Sequence, residues 1–215
     1  LELPSAIRSQ NELKNPHPIY EAITKIRVSR AFSKKEVRDR VLPTYLGLVK
    51  QLDDHLGRLF QFMKDQGSFD QTLIVFTSDH GDYLGDHWLG EKDWFHEPSV
   101  KIPLIIRDPS SLANSSRGSR STKLVESIDL IPTFIEALGG SFPDHILEGQ
   151  SLKPFLHSES TKPIRECAIS EYDYSVAPIS SLLNADPKKA RIYMVTTQSW
   201  KYINTVGYRP VLFDL

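Results

Sequence analysis

Cysteine is nearly absent. Cys167 is the single one among 215 residues, so no disulfide can close within the chain. That argues against a disulfide-stapled secreted scaffold and favours a reducing compartment such as the cytoplasm. Long apolar runs are missing too. Nothing approaches the ~20 residues of a membrane-spanning helix, and no secretory leader pattern opens the chain. Excess charge of either sign is also lacking, with 26 basic and 27 acidic residues and a net charge of -1. A broad basic surface for nucleic acid is therefore not expected, and an anionic partner would need local charges or a metal. The chain lacks an initial Met. Its ends, Leu1-Glu-Leu-Pro4 and Phe213-Asp-Leu215, read as cuts from something longer, so the missing leader carries little weight. What is present is ordinary for a globular protein: 40% hydrophobic and 25% charged residues, enough for one or two domains with a core.

Residues 1–18 are polar and punctuated by Pro4, Pro16 and Pro18, which predicts a loop or linker. Ser33-Lys-Lys-Glu36 fits a capping box and predicts a long helix from about Ser33. Along it, Leu46, Val49, Leu52, Leu56, Leu59, Phe60 and Met63 recur at three- and four-residue spacing as an apolar stripe. The charged stretch Arg27–Arg40 reads as one helix face, and Gly67 as the helix stop. Thr72–Thr77 is apolar enough for a buried parallel strand. Ile102–Ile106 is a second such run, with Pro103 marking an edge or entry position. The Ser-, Arg- and Asn-rich residues 109–122 suggest a surface loop. Asp129 then predicts an N-cap, with Pro132 tolerated in the first turn of a helix over Leu130–Leu138, ended by Gly139-Gly140. Beyond about residue 150 the texture changes. Ala168–Tyr172, Ile192–Thr196 and Trp200–Asn204 read as strands, the last two as a hairpin. The expected architecture is α/β: a layered sheet with flanking helices over 1–150, and a smaller antiparallel subdomain over 151–215.

The strongest chemical signal is the end of the first strand, Thr72-Leu-Ile-Val-Phe-Thr-Ser-Asp79-His80-Gly81. Ligands of open α/β sheets bind beyond the carboxyl ends of strands. A carboxylate and a neutral imidazole side by side there suit a divalent cation, and Gly81 permits a sharp turn after them. For an arbitrary Asp-His pair, a plain strand-end turn would be the better reading. Here a buried strand delivers the pair, a glycine follows, and Asp82, Asp86, His87, Glu91 and Lys92 come within a dozen residues. Lys92 is a point charge able to neutralise a phosphoryl or sulfuryl oxygen, against the bland reading of a solvated lysine. Asp86, His87 and His96 are candidates for the outer shell of a metal site or for a substrate pocket, or else ordinary loop residues. Trp88, Trp94 and Phe95 wall a pocket or pack the loop. Cys167 is expected to be a buried, inert thiol.

These residues carry a family likeness. The segment Thr44–Gly67 resembles the helix that precedes the metal-bearing strand of sulfatases. Thr72–Gly81, Leu84-Gly-Asp-His87, Gly90-Glu-Lys92, Ile102-Pro-Leu104, Ser127-Ile-Asp-Leu-Ile-Pro-Thr133, Glu148-Gly-Gln-Ser-Leu152 and Leu212-Phe-Asp-Leu215 follow in sulfatase order. Asn15-Pro-His-Pro-Ile-Tyr20 and the Asp79-to-Lys92 spacing are similar to the phosphonate monoester hydrolase and phosphodiesterase branch. The resemblance implies the C-terminal part of an alkaline-phosphatase-like α/β fold. Asp79 and His80 would be two of its ligands to a divalent metal, Mn, Ca, Mg or Zn, and Lys92 a contact to the substrate anion. It further implies a formylglycine nucleophile made from Cys/Ser-x-Pro-x-Arg. That motif does not occur in this chain. Thr161-Lys-Pro-Ile-Arg165 mimics the spacing, but begins with Thr and follows the metal strand where the family's nucleophile precedes it.

The expectation is thus a hydrolase of small anionic esters, sulfate or phosphonate/phosphate, whose nucleophile lies in a missing N-terminal half, so that this part alone is inactive. Homo-oligomerisation is left open. One alternative is a noncatalytic metal-binding or interaction module. Another is a Ser- or Thr-nucleophile relative of alkaline phosphatase.

Overall fold

Apolar and polar residues alternate along the C-terminal strands, so a sheet with one buried face forms there. In the computed structural model, which describes residues 3–143, 145–159, 163–175 and 178–215, this sheet has four antiparallel strands in the order β3 (Ala168–Asp173), β4 (Arg191–Thr196), β5 (Trp200–Thr205) and β6 (Val211–Asp214). The β4–β5 hairpin pairs Thr196 with Lys201 and Val195 with Tyr202, as the turn Thr197-Gln-Ser199 predicts. Its inner face carries Ile192, Met194 and Ile203, all buried. Helices α1 (Pro18–Lys25) and α7 (Pro178–Leu183) bring Ile19, Ile23 and Ile179 to the same cluster, and the loop that follows the first strand adds Tyr83, Leu89, Trp94 and Phe95. Each aliphatic side chain fully buried there contributes about 1.5–3 kcal/mol.

The N-terminal region is more ordered than a linker. A short 3-10 turn, Gln10–Leu13, is closed by a Ser9–Glu12 capping box, and His17 caps α1 by accepting the Ile19 N–H. The capping box expected at Ser33 does not form. Residues Arg27–Phe32 already make a helix, α2, and Ser33 ends it in helical geometry with its hydroxyl donating to the Arg30 carbonyl. The stretch Arg27–Arg40 is accordingly split between α2 and the next helix rather than forming one face. That helix, α3 (Lys35–Asp65), runs 31 residues, about 46 Å at 1.5 Å per residue. Gly67 follows it at φ 68°. Its stripe is real but only partly covered: Leu46, Leu56, Phe60 and Met63 are half-buried, with Phe60 edge-on to Phe69 at 5.8 Å between ring centroids. Within α3 only Arg38 and Leu42 are buried, while Leu48, Val49, Leu52, Leu59 and Phe62 stay 48–61% exposed.

The expected buried parallel strands are a correction. β1 (Ile74–Thr77) and β2 (Leu104–Arg107) pair antiparallel with each other, Val75 opposite Ile106. They are only partly covered, with Ile105 63% exposed. A continuous apolar run reports two nonpolar faces but not strand direction, which the intervening loop sets here. Between β1 and β2 lies the short helix α4 (Glu97–Val100). Helix α5 (Leu130–Ala137) starts after Asp129 and stops before Gly139 at φ 78°, and α6 (Lys153–Leu156) follows. Asp129 does not cap α5 with its side chain. Its carboxylate instead accepts the Glu126 and Gln150 N–H groups and pairs with Arg165. Cys167 is half-buried rather than buried. Thr161 and Lys162 lie outside the described residues.

Candidate metal centre

β1 ends at Thr77, and the next four residues fold back tightly. The Thr77 hydroxyl donates to the Pro103 carbonyl (2.9 Å), and that of Ser78 to the His80 carbonyl (2.8 Å). Asp79 Oδ1 accepts the His80 N–H at 3.0 Å. Backbone N–H groups of Asp79 and His80 hold the Asp79 carboxyl below its usual range, so it is an anion at neutral pH. Its side chain is 84% exposed.

One contact fixes the His80 tautomer. Nδ1 lies 2.7 Å from the Gly81 carbonyl oxygen. An oxygen there can only accept, so Nδ1 carries the proton and the Nε2 lone pair is left for a cation. In this structure that lone pair faces the Lys92 ammonium, with Nζ 2.7 Å from Nε2, and Asp79 Oδ2 lies 3.5 Å from the same nitrogen. Asp79, His80 and Lys92 therefore converge, across thirteen positions of sequence, on one exposed spot past the end of β1. Carboxylate oxygen and imidazole nitrogen are a donor set that a divalent ion accepts. Among the described residues no group of three or more His, Cys, Asp or Glu forms a fuller cage.

Gly81 serves this turn sterically. Its φ is not left-handed, contrary to the expected sharp-turn role. A Cβ there would lie 1.9 Å from the Pro98 carbonyl oxygen, and the Gly81 N–H donates to the Ser99 carbonyl at 2.8 Å.

The other three candidates form their own group. Asp86 Oδ1 accepts the Ile7 N–H at 2.9 Å. His87 Nδ1 lies 2.7 Å from Glu12 Oε1. His96 stacks on His87 with ring centroids 3.9 Å apart. Burial, then the nearby His87 and Lys201 charges, push the His96 imidazole down to about 3, so it is neutral. These side chains send their hydrogen bonds away from Asp79, His80 and Lys92. His96 lines a cleft of about 410 Å³ with Glu12, Tyr20, Trp94, Arg209 and Phe213. Trp94 and Phe95 are buried core residues, while Trp88 lies beneath the Arg8 guanidinium at 4.3 Å.

Sequence reading missed Glu12 and Ser99. The Glu12–His87 contact joins residues 75 apart, which no local pattern reveals. The buried Ser99 sits in a stretch whose only visible signal, Glu97-Pro98, marks a helix start.

The Sulfatase family profile matches residues 12–140, and the C-terminal profile of N-sulphoglucosamine sulphohydrolase matches residues 85–212. The chain is 37% identical over 177 residues to the multifunctional alkaline phosphatase superfamily protein PehA of Trinickia caryophylli, covering 80% of this chain and 34% of that protein. It is 34% identical to N-acetylglucosamine-6-O-sulfatase of Bacteroides thetaiotaomicron, over 74% of this chain and 27% of the relative. The fold superposes on the phosphonate monoester hydrolase of Silicibacter pomeroyi with TM-score 0.87 and 28% identity, covering 99% of this chain and 44% of that one. The corresponding enzyme of Agrobacterium radiobacter gives 0.83 and 26%, over 100% and 45%. The chain spans 27–34% of the length of these curated relatives and under half of the solved ones. Its α/β architecture is that of the alkaline-phosphatase-like sulfatases, and with the match over residues 12–140 it follows that the chain belongs to the sulfatase family.

Proposed function

We propose that this chain contributes two metal ligands and an anion-neutralising lysine to a hydrolase of sulfate esters, extending to phosphonate or phosphate mono- and diesters. The observation that carries this reading is the convergence of Asp79, His80 and Lys92 past β1, with Nζ 2.7 Å from Nε2. The names of the relatives, sulfatases and phosphonate monoester hydrolases, support the substrate class.

Asp79 and His80 Nε2 would hold the metal, Mn, Ca, Mg or Zn. The Gly81 carbonyl fixes the His80 tautomer and keeps the proton off Nε2. When bound, a divalent ion supplies polarisation of ester oxygens and charge stabilisation. The Lys92 ammonium sits beside that position, where it can take up negative charge developing on non-bridging oxygens. The remaining metal ligands and the nucleophile, a formylglycine, would come from upstream polypeptide, since no Cys/Ser-x-Pro-x-Arg occurs here.

The test uses the intact protein. Asp79→Asn and His80→Ala are expected to lose bound metal by elemental analysis, and unchanged stoichiometry refutes the ligand assignment. Lys92→Ala is expected to retain metal and lose on the order of 10²–10³ in turnover of an aryl sulfate or phosphonate ester. Wild-type turnover in that variant sinks its role.

A further inference from the structure

The Lys92 loop and the metal-binding turn meet at one residue. Ser99 is 5% exposed. Its hydroxyl donates to the Lys92 carbonyl at 2.8 Å, and its own carbonyl accepts the Gly81 N–H at 2.8 Å. One buried residue thus grips both segments that carry the convergent side chains, one through its side chain and the other through its backbone. Ser99 is itself held from behind. Its N–H donates to the His96 carbonyl at 3.0 Å, and Glu97, two residues earlier in α4, binds the buried Lys201 ammonium of β5 at 2.5 Å. The clamp is therefore tied to the four-stranded sheet. A second hydrogen bond, from the Tyr172 hydroxyl to Asp93 at 2.7 Å, holds the residue next to Lys92.

We propose that Ser99 is a positioning residue, whose hydroxyl holds the Lys92 segment so that the ammonium stays beside the Asp79–His80 turn, within reach of an anion bound there. Lys92 is exposed and ends a flexible four-carbon stem, so its reach depends on where its backbone is pinned. A misplacement of ~1 Å can cost ~10² in rate. The two halves of the clamp are chemically separable. Replacing Ser99 by Ala removes the bond to Lys92 and leaves the backbone bond to Gly81, so metal binding should survive while the lysine's contribution falls.

This inference rests on the reading of Lys92 given above, and a double-mutant cycle in the intact protein separates the two. Metal affinity by titration calorimetry, thermal unfolding, and kcat per metal-loaded site are measured for wild type, Ser99→Ala, Lys92→Ala and the double variant. Expected are a metal affinity for Ser99→Ala within ~3-fold of wild type, a kcat lower by ~10-fold, and no further loss when Ser99→Ala is added to Lys92→Ala. If the serine change costs the same with and without Lys92, or costs nothing, the positioning role is wrong. Should Lys92→Ala itself keep wild-type turnover, the underlying reading fails instead. If Ser99→Ala does not fold, Ser99→Cys, of near-equal shape and with a weak donor, takes its place with the same expectations.

Discussion

Buried, stacked on His87 and with Nδ1 3.3 Å from the Tyr83 hydroxyl, the His96 imidazole resists protonation down to about pH 3. In the unfolded chain the same ring titrates near its ordinary value of about 6.5. As pH falls below that value the unfolded state takes the proton first and the folded state does not, so stability is lost progressively from about pH 6.5 towards pH 3. We expect the urea midpoint to drop between pH 7 and pH 4.5, and to drop less in His96→Asn. Equal drops would mean that this ring does not drive the dependence. At this scale the sequence was legible where chemistry is local. Asp79, His80 and Lys92 lie within thirteen positions, and their side chains do come together. It was not legible where a partner arrives from a distance, as Glu12 does to His87 and Ser99 to Gly81.

Among the secondary-structure elements, α3 is the one whose surface is out of balance. Leu48, Leu52, Leu59 and Phe62 are 48–61% exposed along a 31-residue helix, a patch of the kind that marks an interaction surface. The periodicity that predicted the helix was right about the backbone but silent on what covers it. The β1–β2 ribbon shows the same limit, because the apolar run Thr72–Thr77 names a strand but neither its direction nor how far it is covered. Two opposite outcomes are expected of Leu52→Lys/Leu59→Lys. In residues 1–215 expressed alone it should reduce dye binding and self-association with the helical signal intact. In the intact protein, where upstream chain would cover the stripe, it should destabilise by roughly 2–5 kcal/mol. Equal stability there would mean that the stripe faces solvent.

Over the whole molecule, what matters is division of labour. Residues 1–215 hold the convergent Asp79–His80–Lys92 spot but span about a third of the length of PehA. Expressed alone, they should hydrolyse an aryl sulfate or phosphonate ester no faster than their own Lys92→Ala variant. A clear rate above that control would place a nucleophile inside this chain. Gly81 adds something about ancestry. It is required by the Pro98 carbonyl, 1.9 Å from where a Cβ would sit, and not by any ion. A relative in which Asp79 and His80 have changed would still have to keep the glycine. Such a lineage would be recognised by a Gly packed on a Pro carbonyl four residues past the strand, the two residues before it drifted to unrelated ones.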